Sequence, residues 1–214
     1  MKENVVKNKM LIMNLHNDKL LNQWTYGYIK LACQQNKEIQ VYLENIIYNK
    51  NDSNQPFEAN EIGDESNHES DAFLEMTQKL FKLGVKTQGL KSKDTINHEE
   101  KKTLNNTSSG DLNSLIENLH ITHKQHDEFM LDVIKKAQGP LIAVVGALHL
   151  IAWLFKKEIS AEDYNIILPH HAKILDNLKT DEYDVQEIYN QILDFDGITV
   201  VDIDVVRSLI GEDD

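Results

Sequence analysis

An α/β fold, a mostly parallel central sheet covered by helices, is what this sequence predicts, and three observations carry the prediction. Leu141–Val145 is an unbroken apolar run bounded by Gly139-Pro140 and Gly146, the pattern of a central strand buried on both faces, as parallel sheets require. Strand-like and helix-like segments alternate along the chain, the order from which βαβ units are assembled. The 214 residues suffice for one well-buried core and would crowd two. Residues 1–214 are therefore read as one domain with a polar insertion over about 49–110.

Lys9–Leu15 reads as a short apolar strand, broken by the helix-cap sequence His16-Asn17-Asp18. Leu20, Leu21, Trp24, Tyr28, Leu31 and Ala32 recur at steps of three and four, which predicts an amphipathic helix over about Lys19–Gln35. Ile39–Leu43 alternates, favours β-branched and aromatic residues, and ends at Glu44. Two polar stretches, Asn49–Glu69 and Lys91–Gly110, lack periodicity and are expected to be loops or partly disordered. Between them Phe73, Leu74, Met76, Leu80, Phe81 and Leu83 make a helix closed by Gly84.

A longer helix, Asp111–Ala137, carries an apolar face ending in Phe129, Met130, Val133 and Ile134 and is stopped by Gly139-Pro140. After the Leu141 strand the sequence predicts a helix over Leu150–Lys157 and a strand over Tyr164–Leu168 stopped by Pro169. A helix over Glu182–Leu193, a strand over Ile198–Val201 and a last helical turn over Val205–Ile210 follow.

The net charge of −13 repels phosphate backbones and anionic membrane surfaces, so nucleic acid is not an expected partner. Pro140–Phe155, the longest apolar stretch, is shorter than the roughly 20 residues of a bilayer span and contains Gly146 and His149. No membrane span is expected, and the partner is an unknown substrate or protein. A single cysteine, Cys33, rules out an internal disulfide and any multi-cysteine metal site. Met10–Met13 is too short for an export-signal core. The expected location is the cytoplasm, with non-classical secretion reading the acidic end Gly211-Glu212-Asp213-Asp214 as the alternative.

In open α/β sheets, ligands collect beyond the carboxyl ends of the strands. His16 follows the first strand, Glu44 the second, and His149 the Leu141–Val145 strand. Two imidazoles and a carboxylate can bind a divalent metal or share acid–base work, and the spacing leaves both open beside a plain capping or surface role. Gly146 permits a tight turn that leaves His149 on the rim. His120, His123 and His126 step round a helix and are read as a polar face, with His126 able to turn toward the site. His170-His171 either line the rim or face solvent, and solvent is the expectation; Asp194, Asp196, Asp202 and Asp204 are read as turn and strand-end residues.

Val144-Val145-Gly146-Ala147-Leu148-His149 resembles the second Gly-x-x-His motif of the TraB/TIKI/ChaN/erythromycin-esterase-like superfamily. Met13-Asn14-Leu15-His16, the following helix, and Val41-Tyr42-Leu43-Glu44 resemble its first motif and the strand ending in glutamate, in the same order. The resemblance spans about Lys9–Glu44 and Gln125–Leu168. It implies a hydrolase-like domain acting on an ester or peptide bond, with His16, Glu44 and His149 as catalytic or metal-binding residues and a divalent metal as cofactor. Asn14, His126, Asp127 and Gly146 would then contact substrate. Two further implied readings are a catalytically degenerate binding or regulatory module, such as an effector or toxin component, and a haem carrier. Met13 replaces the first motif's glycine, Asn14 a glutamate, and the family's arginine before the second motif is missing, its place falling near His126-Asp127. Arg207 is the chain's single arginine.

Overall fold

The computed structural model describes residues 8–16, 18–47, 72–91, 112–174 and 185–210, with the side chains of 45–47, 91, 112–123, 185–188 and 207–210 outside the description. Much of the two polar stretches, including His68 and His98, lies outside the described residues, as do the side chains of His120 and His123.

Six strands are described: β1 (Lys9–Asn14), β2 (Gln40–Ile47), β3 (Thr87–Lys91), β4 (Leu141–Gly146), β5 (Asn165–His170) and β6 (Thr199–Asp202). They form one sheet in the order β3-β2-β4-β1-β5-β6, with every pairing parallel. The helices are α1 (Lys19–Gln35), α2 (Ala72–Lys82), α3 (Leu112–Lys136), α4 (Ala147–Phe155), α5 (Val185–Leu193) and α6 (Ile203–Ile210).

The unbroken apolar run of β4 is explained by its place between β2 and β1. Successive side chains point to opposite faces. Ala143 and Val145 join one core with Leu11, Met13, Met130, Ile134, Leu150 and Trp153, whereas Ile142 and Val144 join a second with Ile12, Val41, Leu43, Ile29, Phe73 and Leu80. A polar residue on either face of β4 would be buried, so the strand alternates nothing. The α1 periodicity works similarly: Leu21, Thr25 and Ile29, four residues apart, are buried, and Asp18 caps the helix by accepting the Leu21 N–H at 2.9 Å. Gly84, at φ 68°, takes the left-handed conformation that ends α2.

Three features depart from the sequence prediction. The Thr87–Lys91 strand escaped it because it is short and its centre, Gln88-Gly89, is a poor marker of a buried strand, although residues 87–90 are all buried at this sheet edge. Pro169 lies inside β5 and does not stop it. β1 pairs only with Asn165–Ile167, so beyond that point the ladder runs to β6 alone and the missing N–H of Pro169 is tolerated. Finally, β2 continues past Glu44 to Ile47, with its register against β3 shifting between Leu43 and Ile47. Glu44 thus sits in an irregularity of the kind that re-aims a side chain.

In-register pairing sets the site. Asn14 of β1 lies opposite Gly146 of β4, and Leu43 of β2 opposite Val144. The Glu44 position of β2 and the carboxyl ends of β4 and β1 therefore lie at one level, with the N-terminus of α4 directly above β4.

Candidate functional site

Glu44 is the hub. Its side chain is only 8 % exposed, and Oε2 accepts a short hydrogen bond from the Gly146 N–H at the start of α4. His16 Nε2 lies 3.8 Å from the same oxygen, and His149 Nε2 lies 3.5 Å from Oε1. Burial alone would raise the carboxyl pKa. The charge of His149, the hydrogen bond and charge of His16 and the Gly146 N–H together outweigh it, holding Glu44 well below the usual carboxylate range. Glu44 is therefore a fixed anion, suited to orienting imidazoles and unsuited to accepting a proton near neutrality.

His149, the third residue of α4, has its other nitrogen engaged: Nδ1 lies 2.6 Å from Oδ1 of Asp127 on α3. A buried carboxylate on Nδ1 fixes ring orientation and tautomer, as in other carboxylate–histidine pairs. His126, also buried, meets the His149 ring edge-on at a centroid distance of 5.9 Å. Asp127 thus stands near the place where the resemblance would put an arginine, so an anion occupies that neighbourhood and positive charge here comes from imidazole.

Gly146 is required by close approach. An ideal Cβ there would lie 3.2 Å from Glu44 Oε2 and 3.4 Å from His149 Cδ2. Its backbone, φ −53° and ψ 136°, is open to any residue, so contact with the site is what favours glycine.

His16 is the more open histidine, with 31 % of its side chain exposed against 14 % for His149. Its ring packs on Phe73 at 4.8 Å, and its carbonyl accepts the Phe73 N–H at 3.1 Å, so α2 as well as β1 positions it. Asn14 is buried and donates to Asn22 Oδ1 at 3.2 Å. Asn22 Nδ2 in turn reaches the carbonyls of Leu15, His16 and Asp18 at 3.3, 3.1 and 2.8 Å. The two asparagines tie the turn carrying His16 to the first turn of α1.

All three residues expected to converge, His16, Glu44 and His149, do so, while Asp127 and Gly146 hold His149 and Glu44 and Asn14 lies behind the turn. A divalent ion would need several donors at about 2.0–2.2 Å. Among the described residues no group of three or more His, Cys, Asp or Glu side chains has an arrangement that could hold one.

Sequence reasoning misplaced one histidine. His171, expected in solvent, is buried with its Nε2 2.9 Å from Asp18 Oδ2. The Lys173 N–H is directed at Nδ1 at 3.2 Å, so the ring is the tautomer that donates from Nε2. A histidine just past a proline at a strand end offers no burial signal in the sequence, and Asp18 is 153 residues away. Neighbouring His170 is half-buried, with Nδ1 3.0 Å from the Tyr189 hydroxyl. Burial and the charge of Asp18 push that phenol's pKa well up. Asp202 accepts from the Asp204 and Val205 N–H groups at the start of α6, and Asp204 accepts from the Ala172 N–H, the turn roles expected for both.

Comparison with known proteins gives little more. No protein-family model and no curated protein matches the chain. A solved structure described as "Cofacial heme binding to ChaN of Campylobacter jejuni" matches with a TM-score of 0.42 and 14 % identity, over 78 % of this chain and 83 % of that one. Among the described residues no helix is long and apolar enough to cross a membrane.

Proposed function

We propose that the chain is a hydrolase-like protein in which His16 activates water for attack on an ester or peptide carbonyl. The observation that carries the reading is the continuous run Asp127–His149–Glu44–His16, a buried chain of alternating carboxylate and imidazole that ends on its most exposed member.

Each residue has a role that follows from its surroundings. Glu44, held ionised, orients His16 through Nε2 and leaves Nδ1 as the nitrogen with the basic lone pair. Nδ1 takes a proton from water as the oxygen attacks the carbonyl carbon, and the resulting imidazolium returns it to the leaving group. Because the Glu44 charge is fixed and nearby, the imidazolium is stabilised as it forms. His149 clamps Glu44 from the other side, and Asp127 clamps His149. The Gly146 N–H is spent on Glu44 and so is not an oxyanion donor.

The test is hydrolysis of 4-nitrophenyl butyrate by purified protein, with His16→Ala as the comparison and haem titration in parallel. The expected result is turnover above buffer that falls on the order of 10²-fold or more in the variant, the usual worth of a general base. Equal rates in wild type and variant, or no hydrolysis, contradict the reading; a strong absorbance band with haem and no hydrolysis supports the carrier instead.

A further inference from the structure

Basic residues gather on one helix pair of this acidic chain. α1 contains no Asp or Glu, and the one carboxylate of α2, Glu75, is paired with Lys79 at 2.7 Å. Both helices end at the amino-terminal edge of the sheet, where α1 turns into β2 and α2 into β3. Between these turns lies a pocket of about 330 Å³, within the range of small-ligand sites, roughly 300–1,000 Å³. Lys30 and Lys37 line it from α1 and its turn, and Lys86 lines it from the residue before β3, with no Asp or Glu in the lining. Ile39, Leu83 and Val85 supply its apolar wall.

Local compensation does not cancel this charge. None of the three lysines has an ion pair among the described residues, and Glu38, the carboxylate next to Lys37, does not line the pocket. The C-termini of α1 and α2 lie at this end, each equivalent to roughly half a negative charge. Together they offset about one of three ammonium groups, so the pocket stays cationic. Its backbone is set by hydrogen bonds: the Glu38 N–H donates to Asn36 Oδ1 at 2.9 Å, the Val41 N–H to the Lys86 carbonyl at 2.9 Å, and Gly84, at φ 68°, donates to the Phe81 carbonyl at 2.9 Å. Cys33 shares the wall. Burial pushes its thiol pKa up and the Lys37 charge pulls it the other way, which places the Lys37 ammonium near the sulfur.

We infer that this pocket binds a small organic phosphate monoester, its dianion held among Lys30, Lys37 and Lys86 and its apolar body against Ile39, Leu83 and Val85. Ammonium groups act as point charges and suit the tetrahedral oxygens of phosphate, whereas planar carboxylates are gripped best by a guanidinium fork, and no arginine lines the pocket. Size decides between a small ester and a polymer. Charges more than a Debye length away, about 8 Å at physiological salt, are largely screened. A small ester therefore responds to the three lysines, while a nucleic acid would also meet the acidic remainder of a chain whose net charge is −13.

Phenyl phosphate is the probe, titrated into the full chain at about pH 8, where a phosphate monoester is a dianion. Cys33 is the chain's single cysteine, so the rate at which uncharged iodoacetamide alkylates the protein's thiol reports this pocket alone. Saturable protection of Cys33 is expected. Its midpoint should lie below those of inorganic phosphate, which lacks the apolar body, of phenylmalonate, a dianion of planar carboxylates, and of uncharged 2-phenoxyethanol. In the double variant Lys37→Gln/Lys86→Gln the phenyl phosphate midpoint should rise about tenfold, because two exposed charge pairs are lost. Midpoints are compared, not rates, since Lys37 also acts on the thiol itself. Both lysines are exposed, and circular dichroism checks that the variant folds. Absence of saturable protection, an unchanged midpoint in the double variant, or equal protection by any of the three comparison compounds would each overturn the inference.

Discussion

Gly146→Ala isolates the site from the fold. The backbone at Gly146 suits alanine, so no conformational strain arises, and fewer unfolded states would by themselves stabilise the protein by about 0.4–1 kcal/mol. Opposing this, the new methyl would sit 3.2 Å from Glu44 Oε2, 3.5 Å from Oε1 and 3.4 Å from His149 Cδ2. The contact with Oε2 is tighter than a methyl normally makes, while the other two are ordinary contacts, so Oε2 must withdraw by a few tenths of an ångström. Withdrawal lengthens the hydrogen bond that the Gly146 N–H donates to Glu44 Oε2 and shifts the oxygen facing His16. The two effects on stability nearly cancel, and the expected change is within about 1 kcal/mol by urea denaturation. Catalysis has no such cancellation: misplacement on the scale of 1 Å costs about 10²-fold, so tenths of an ångström should cost about 3–10-fold in kcat for 4-nitrophenyl butyrate. Unchanged kcat and unchanged stability together would refute the account of Glu44 as an orienting anion gripped by β4.

Other consequences lie beside or below the site. Asp18→Ala removes the α1 cap and leaves the buried His171 nitrogen without its acceptor, so a loss of about 2–4 kcal/mol is expected in chemical denaturation. Asp18→Asn should lose less, because its side-chain oxygen can still cap α1. The lowered pKa of Glu44 sets an acid limit: its contribution is fully present above the unfolded value near 4.5 and is lost as pH falls below that toward the folded value. Melting temperature should therefore drop below about pH 4.5 more steeply in wild type than in Glu44→Gln. The raised pKa of Tyr189 acts at the other end, since its contribution is present below pH 10.0 and lost as pH rises above it; Tyr189→Phe should flatten that alkaline decline.

What the sequence revealed follows physical rules that act locally. The run Leu141–Val145 is apolar at every position because both faces of β4 are covered, and that fact is visible without a structure. Likewise His16, Glu44 and His149 could be grouped, since each lies at or just beyond the level where the in-register ladders of β1, β2 and β4 end, although β2 itself runs on past Glu44. Asp127 was singled out through a motif position, but its bond to His149 depends on how α3 crosses α4, which no periodicity encodes. The same limit hid His171, whose partner Asp18 is reached only once β5 lies beside β1. Thr87–Lys91 was hidden differently. A short edge strand next to β2 can be built around Gln and Gly when its neighbour supplies the pairing, so its sequence carries little strand signal.

The central claim is that the Asp127–His149–Glu44–His16 chain acts as one unit, and a double-mutant cycle on hydrolysis measures it directly. kcat/KM for 4-nitrophenyl butyrate is compared among wild type, His16→Ala, Glu44→Gln and the double variant, each checked for folding. If Glu44 works through His16, the double variant should be about as slow as His16→Ala alone, because groups that act as a unit are strongly non-additive. Independent losses that multiply would contradict the account.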